Sequence, residues 1–213
     1  TSVLEHPAVL RTCRDLESQG CEVVYVTSKP NGMVDLDELR GAVTEDTVLV
    51  SIMLANNETG VIQPVAKISS ICKEMGVPLH TDAVQAIGKV PVDVSRLGVD
   101  LLSVSAHKFY GPKGIGALYI RRGTRLEPTY TGGGHERGLR PGTENVPGIV
   151  GFGEAARISR ERLSKEMSYI GKMRDRIESE ISGAVDGVLL NGKEADRIPN
   201  TVSYTHLTLP TNR

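Results

Sequence analysis

Lys108 stands just past a short apolar run, Asp100 to Ser105 (DLLSVS), with only Ala106 and His107 between them. A lysine so placed can attack a carbonyl and form a Schiff base once it loses its proton. Asp82 directly follows another apolar run, Val77 to Thr81. A carboxylate on a neighbouring strand is the partner a pyridinium nitrogen takes, and it keeps such a ring protonated and electron-withdrawing. Asn57 and Gln85 could fix a ring hydroxyl or a substrate carboxylate, and Ser105 and His107 could bind a phosphate. Each also has an ordinary reading. Lys108 could be a solvated surface lysine and Asp82 a helix cap. Asn57 and Gln85 could be turn residues, and Ser105 and His107 satisfied strand-end polar groups.

The elements that would position these groups alternate in type. Pro7 to Ser18 reads as a helix, with Pro7 in its first turn and Gly20 past its end. Cys21 to Thr27 reads as a strand. Asp35 to Glu38 resembles a capping box that opens a short helix. Thr47 to Leu54 is a continuous apolar run, expected of a strand buried on both faces. Val65 to Met75 is an amphipathic helix stopped by Gly76. Strands follow at Val77–Thr81, Asp100–Ser105 and Ile115–Arg121. A long helical pattern then spans Val146 to Ser182, with Leu163, Met167, Ile170, Met173 and Ile177 on one face.

Strands alternating with helices imply βαβ units and a mostly parallel sheet with helices on both faces. Ligands of such sheets bind beyond the carboxyl ends of the strands. Asn56, Asn57, Asp82, Gln85, Ser105, His107 and Lys108 all fall at such ends, on one rim. That convergence admits a pyridoxal phosphate site without requiring one. His6, His80, His107 and His135 invite a metal reading, but no HExxH or CxxC spacing supports it, so no metal site is expected. Cys13, Cys21 and Cys72 form no disulfide framework and are expected as reduced thiols. Gly111 to Gly116 is not a phosphate-cradling P-loop, because no GK[ST] opens a helix. The loop GGGHERGLRPGTEN, Gly132 to Asn145, places Arg137, Arg140 and Thr143 among glycines, where an anion or a second subunit could meet them.

With 213 residues and 39% hydrophobic content, the chain can bury a real core, filled by aliphatics because aromatics make up only 4%. A formal net charge of -1 with mixed signs gives no nucleic-acid footprint. No apolar run approaches the roughly 20 residues that span a bilayer.

These residues carry a resemblance. The segments EHPAVL (5–10), NNETG (56–60), HTDAVQ (80–85), SAHKFYGPKG (105–114) and GGGHERGLRPGTEN (132–145) look like those of NifS/IscS-type cysteine desulfurases. These are fold-type I pyridoxal-phosphate enzymes of the class V aminotransferase type. The segments occur in the family's order over Thr1 to about Thr201. The resemblance implies that Lys108 holds the cofactor and moves the substrate Cα proton. It implies that Asp82 pairs with the ring nitrogen, Gln85 bonds the ring oxygen, and His6 stacks on the ring. Ser105 and His107 would bind the phosphate, Thr143 the phosphate of a partner subunit in a homodimer, and Asn57 the substrate carboxylate. L-cysteine would be the substrate and a sulfur-acceptor or scaffold protein the partner, in a cytoplasm or a mitochondrial matrix. Selenocysteine lyase is the alternative within the same chemistry. A non-catalytic truncated chain is the alternative outside it.

The same resemblance divides the chain into a pyridoxal-phosphate-binding large domain (1–150), a linking helix with the start of a small C-terminal domain (151–203), and a tail (204–213). The large domain would be incomplete, lacking an upstream phosphate-binding turn. The family's nucleophilic cysteine and carboxylate-gripping arginine would lie downstream. The tail, YTHLTLPTNR, departs from the family pattern and is expected to be foreign sequence.

Overall fold

The computed structural model describes residues 1–206. Its main sheet has four strands in sequential order: β1 (Val50–Ser51), β2 (Leu79–Asp82), β3 (Leu101–Ser105) and β4 (Gly116–Ile120). β1, β2 and β3 run parallel, and β4 returns antiparallel to β3. The fold is therefore α/β with a mostly parallel sheet, as expected. The helices are α1 (Pro7–Ser18), α2 (Leu36–Ala42), α3 (Val65–Glu74), α4 (Val94–Leu97) and α5 (Val146–Ala184).

Right-handed crossovers between parallel strands taken in order place their helices on one face. α3 and α4 obey this and touch, with Ser69 Oγ donating to the Gly98 carbonyl at 2.9 Å. Beneath them Val65, Ile68, Ile71 and Cys72 pack with Leu79 in the core. Period-2 alternation then sets the other side of β2. Leu79 and Thr81 are buried, whereas His80 and Asp82 are half-buried. On that second side His80 bridges Ser51 Oγ (2.8 Å) and Ser103 Oγ (2.9 Å). Burial favours its uncharged form and lowers its pKa.

Three expectations need correction. Cys21–Thr27 makes no strand. Among the described residues Val26 has only an isolated parallel bridge to Ser2. Thr47–Leu54 is not buried throughout, because Val48 is 84% exposed and Leu49 also lies open. Ladder bonds begin only at Val50, whose N–H donates to Pro78, and continue through Ile52 and Leu54. At the third, the capping box is half made. Asp35 accepts from the N–H groups of Asp37 and Glu38, but the Glu38 carboxylate takes the Thr27 N–H instead of reaching back.

α5 runs 39 residues, roughly 58 Å at 1.5 Å per residue. The chain then returns along it through residues 192–198 and forms a small antiparallel pair, β5 (Val188–Leu190) with β6 (Tyr204–His206). The first three residues of the expected foreign tail thus lie in β6, and the remainder falls outside the described residues. The returning segment docks on the loop after β1. Ile198 is 1% exposed and its N–H donates to the Gly60 carbonyl.

Candidate active site

β2 and β3 are in register with Asp82 opposite Ser103, so their carboxyl ends open side by side. From this rim project Asp82, Gln85, Ser105, His107 and Lys108. One Asp82 oxygen, Oδ1, accepts the Val84 N–H at 2.9 Å and shapes the turn that follows. Its other oxygen has no hydrogen bond among the described residues. The capping and ligand readings of Asp82 are therefore compatible, one for each oxygen. The turn from Ala83 to Val90 is closed by Ala83 and Ala86 carbonyls. It presents Gln85, whose Oε1 accepts from Lys89 Nζ at 2.8 Å. Ser105 Oγ and His107 Nδ1 lie 2.7 Å apart, both reachable by an anion. Lys108 sits in the 3₁₀ turn Ala106–Phe109 with an exposed side chain.

The turn and the Lys108 segment are fastened together at Gly88. Its φ is +75°, and a Cβ there would stand 2.8 Å from Phe109 Cβ and 2.7 Å from Ser159 Oγ. Only glycine allows both the left-handed conformation and this approach.

His6 and Asn57 reach the same end of the sheet by other routes. His6 caps α1, its Nδ1 accepting the Ala8 N–H at 3.1 Å. The acceptor role puts the neutral ring's proton on Nε2, the free nitrogen. Two bonds anchor the His6 segment beside β1. Asn56 Nδ2 donates to the Leu4 carbonyl and the Met53 N–H donates to Glu5 Oε1. Asn56 spends its remaining capacity on Glu58 and Thr59, whereas Asn57 has no side-chain bond among the described residues. Thr143 is not brought to this rim. It is exposed in the loop before Asn145, the residue that caps α5.

Sequence reasoning passed over two groups. Lys89 stands i+4 from Gln85, a spacing that pairs side chains in any helical turn. Glu5 entered only as part of EHPAVL, yet it is 4% exposed. Its Oε1 accepts from Ser2 Oγ and Met53 N–H, and its Oε2 is buried without a partner among the described residues. Burial, with a smaller push from the charge of Asp82, raises its pKa from 4.5 to about 7. A carboxyl raised on folding stabilises fully below its unfolded pKa, and that stability is lost as pH rises through the folded value. Stability should therefore fall between pH 4.5 and pH 7. Glu5→Gln should flatten that window and leave the variant more stable than the parent at pH 8, by about 1–3 kcal/mol. Urea titrations at pH 5 and pH 8 measure this, and equal slopes for the two proteins would refute it.

Among the described residues no three His, Cys, Asp or Glu side chains are grouped to hold a metal ion. All three cysteines are free. Cys72 is buried on α3, and its thiol pKa is pushed up to about 11, mainly by burial, so it is a poor nucleophile.

The model of the aminotransferase class-V family matches residues 1–210. The chain belongs to that family. It is 48% identical over 205 residues to a cysteine desulfurase IscS of Dictyoglomus turgidum, covering 96% of this chain and 52% of that protein. It is 51% identical over 207 residues to a cysteine desulfurase IscS of Pectobacterium atrosepticum, covering 96% and 51%. The solved structure of a NifS-like protein superposes with a TM-score of 0.91 at 46% identity, covering 95% of this chain and 56% of the other. The chain spans about half the length of the curated relatives it matches. This member of the family places its polar rim at the carboxyl ends of β2 and β3. Among the described residues no helix is long and apolar enough to cross a membrane.

Proposed function

We propose that this chain is the cofactor-holding core of a pyridoxal-phosphate-dependent cysteine desulfurase. The reading is carried by one observation: Ser105, His107 and Lys108 lie at the end of β3, beside Asp82 at the end of β2. The names of the relatives, at about half identity, support the same activity.

The donor set fits the cofactor. A free carboxylate oxygen on Asp82 suits a protonated ring nitrogen. The free end of the Gln85 amide suits a ring oxygen. The Ser105–His107 pair suits a phosphate, and Lys108 an aldehyde. Bound there, pyridoxal phosphate would supply an electron sink for the substrate Cα. Lys108 would then hold the cofactor and take the Cα proton, with His6 Nε2 as a second proton-bearing group. Asp82 would keep the ring nitrogen protonated. Asn57 would hold the substrate carboxylate with its unspent amide. Thr143 would reach the phosphate site of a second subunit, making the working unit a homodimer.

The net reaction transfers sulfur. L-cysteine and an enzyme thiol give L-alanine and an enzyme persulfide, which passes to an acceptor or scaffold protein. The thiolate must have a lowered pKa or a nearby base. Buried Cys72 lacks that character, and Cys13 is also raised, mainly by burial. Exposed Cys21 lies past the far end of the 12-residue α1 from His6, so we propose that the thiolate comes from another part of the full-length protein.

The test is stoichiometry in the full-length protein carrying this chain. With L-cysteine and a reductant, alanine and sulfide should appear in equal amounts. Residues 1–213 alone should give little of either. Alanine from selenocysteine only would identify a selenocysteine lyase, and alanine from neither would sink the reading.

A further inference from the structure

The geometry points to Lys89 as a positioning residue that orients the Gln85 amide toward the cofactor. The assignment rests on the proposal that Gln85 faces the ring oxygen, and it adds what makes Gln85 face it the right way round.

An amide can turn over and exchange its donor and acceptor ends. Lys89 removes that freedom. An ammonium only donates, so the end of Gln85 facing Lys89 Nζ must be the carbonyl oxygen. The contact is 2.8 Å. The Nε2 end is then left outward, a donor without a partner among the described residues. A donor is what an anionic ring oxygen requires. The reversed amide would present an oxygen to an oxygen.

Lys89 is poorly explained as a stabilising residue. It is 9% exposed, and buried lysines are rare without a paired carboxylate. Among the described residues it has no salt bridge, and its recorded side-chain hydrogen bond goes to a neutral amide. It also lines, with Lys108 and Gly88, a cavity of about 600 Å³ between the rim and α5. The other charged groups on that cavity are Arg162 and Glu166, which pair with each other at 3.6 Å. A second cation kept near Lys108 costs stability. Consistent with this, the Lys89 pKa is pushed down to about 8, first by burial and then by the Lys108 charge.

Gly88 gives the pair its rigidity. The contact of that glycine with Phe109 sets the Gln85–Lys89 turn against the segment bearing Lys108. A shift of the turn would therefore move Gln85 relative to Lys108.

The test has two arms on the full chain. In the first, no cofactor is present, and the side-chain amide of Gln85 is followed by NMR in wild type, Lys89→Met and Lys89→Arg. The amide should be ordered in wild type and Lys89→Arg, and averaged in Lys89→Met. In the second, pyridoxal phosphate is titrated and its absorbance followed. Lys89→Met should weaken retention roughly 3–10-fold, the worth of one hydrogen bond, and shift the bound absorbance maximum. Lys89→Arg should restore most of both. In a Gln85→Ala background Lys89→Met should add nothing, because its effect passes through Gln85. An equally ordered amide in Lys89→Met, or additive losses in the double variant, overturns the proposal. Absence of any retention by the wild-type chain sinks the cofactor reading instead, whatever the amide does in the first arm.

Discussion

Lys108→Ala should remove the covalent hold on pyridoxal phosphate, and in the full-length enzyme lower turnover by on the order of 10²–10⁴-fold, the span a positioned general base contributes. Borohydride reduction followed by peptide mapping should place the wild-type label on Lys108 and leave the variant unlabelled. The prediction is sharper than usual because a rival amine lines the same cavity. Lys89, with its pKa lowered to about 8, has some of the neutral fraction near neutrality that an attacking amine needs. Geometry decides otherwise. Lys89 Nζ is 2.8 Å from Gln85 Oε1 in a buried position, whereas Lys108 is exposed in the turn directly after β3. Lys108 therefore meets an incoming aldehyde without breaking an existing bond. A wild-type label on Lys89, or full labelling of Lys108→Ala, would reverse the assignment.

What the sequence made legible follows periodicity and punctuation. Pro7 and the residues after it predict α1 to the residue, because Pro at the first turn and Gly20 beyond the end are local signals. The parallel run of β1, β2 and β3 follows from alternating element types, although the strand order and the antiparallel return of β4 do not. Nothing in IGALYIR encodes strand direction. It depends on the connection of residues 106–115, which is long enough for a turn and short of the dozen or so residues a crossover takes. Asp82, Gln85, Ser105, His107 and Lys108 were legible because strand ends in such sheets carry the chemistry. Glu5 and Lys89 were not. Their importance lies in burial, which the rest of the fold supplies, and for Glu5 in a bond from the distant Met53.

α5 shows the same limit. Hydrophobic spacing picked out Leu163, Met167, Ile170, Met173 and Ile177 as its inner face. The first three are half-buried, but Met173 is 48% exposed and Ile177 is 45% exposed. Past Ile170 the inward side passes to Gly171, Arg174 and Glu178, which meet the returning segment. Gly171 faces Pro199, Arg174 donates to the Ile198 carbonyl, and Glu178 meets Arg197. A polar helix face can be the buried one when its partner is polar too, and hydropathy does not register that.

Removing one member of the Glu178–Arg197 pair should be the largest single loss of stability in the described fold. The two side chains are 8% and 9% exposed and joined by two bonds, Nη1–Oε1 at 2.6 Å and Nη2–Oε2 at 2.8 Å. Glu178→Ala leaves a buried guanidinium unpaired, at a cost of about 3–5 kcal/mol. Arg197→Ala should cost about as much. Replacing both together, as Glu178→Leu with Arg197→Met, should cost much less than the sum, because no buried charge remains. High salt should not reduce the penalty, since screening reaches buried pairs weakly. Arg157 with Glu161, an exposed pair on the same helix, supplies the contrast. Breaking it should cost under about 1 kcal/mol. The consequence extends to the rim. Arg197 bridges Val61, and Ile198 bonds Gly60, so the pair holds the returning segment over the loop that carries Asn57. Hydrogen exchange at Ile62 and Ile198 should therefore speed up in Glu178→Ala, while the amides of α3 stay protected. Urea melts of the two single variants and the double variant decide the energetics. Single losses below about 1 kcal/mol, or simple additivity, would show that the pair behaves like a surface contact.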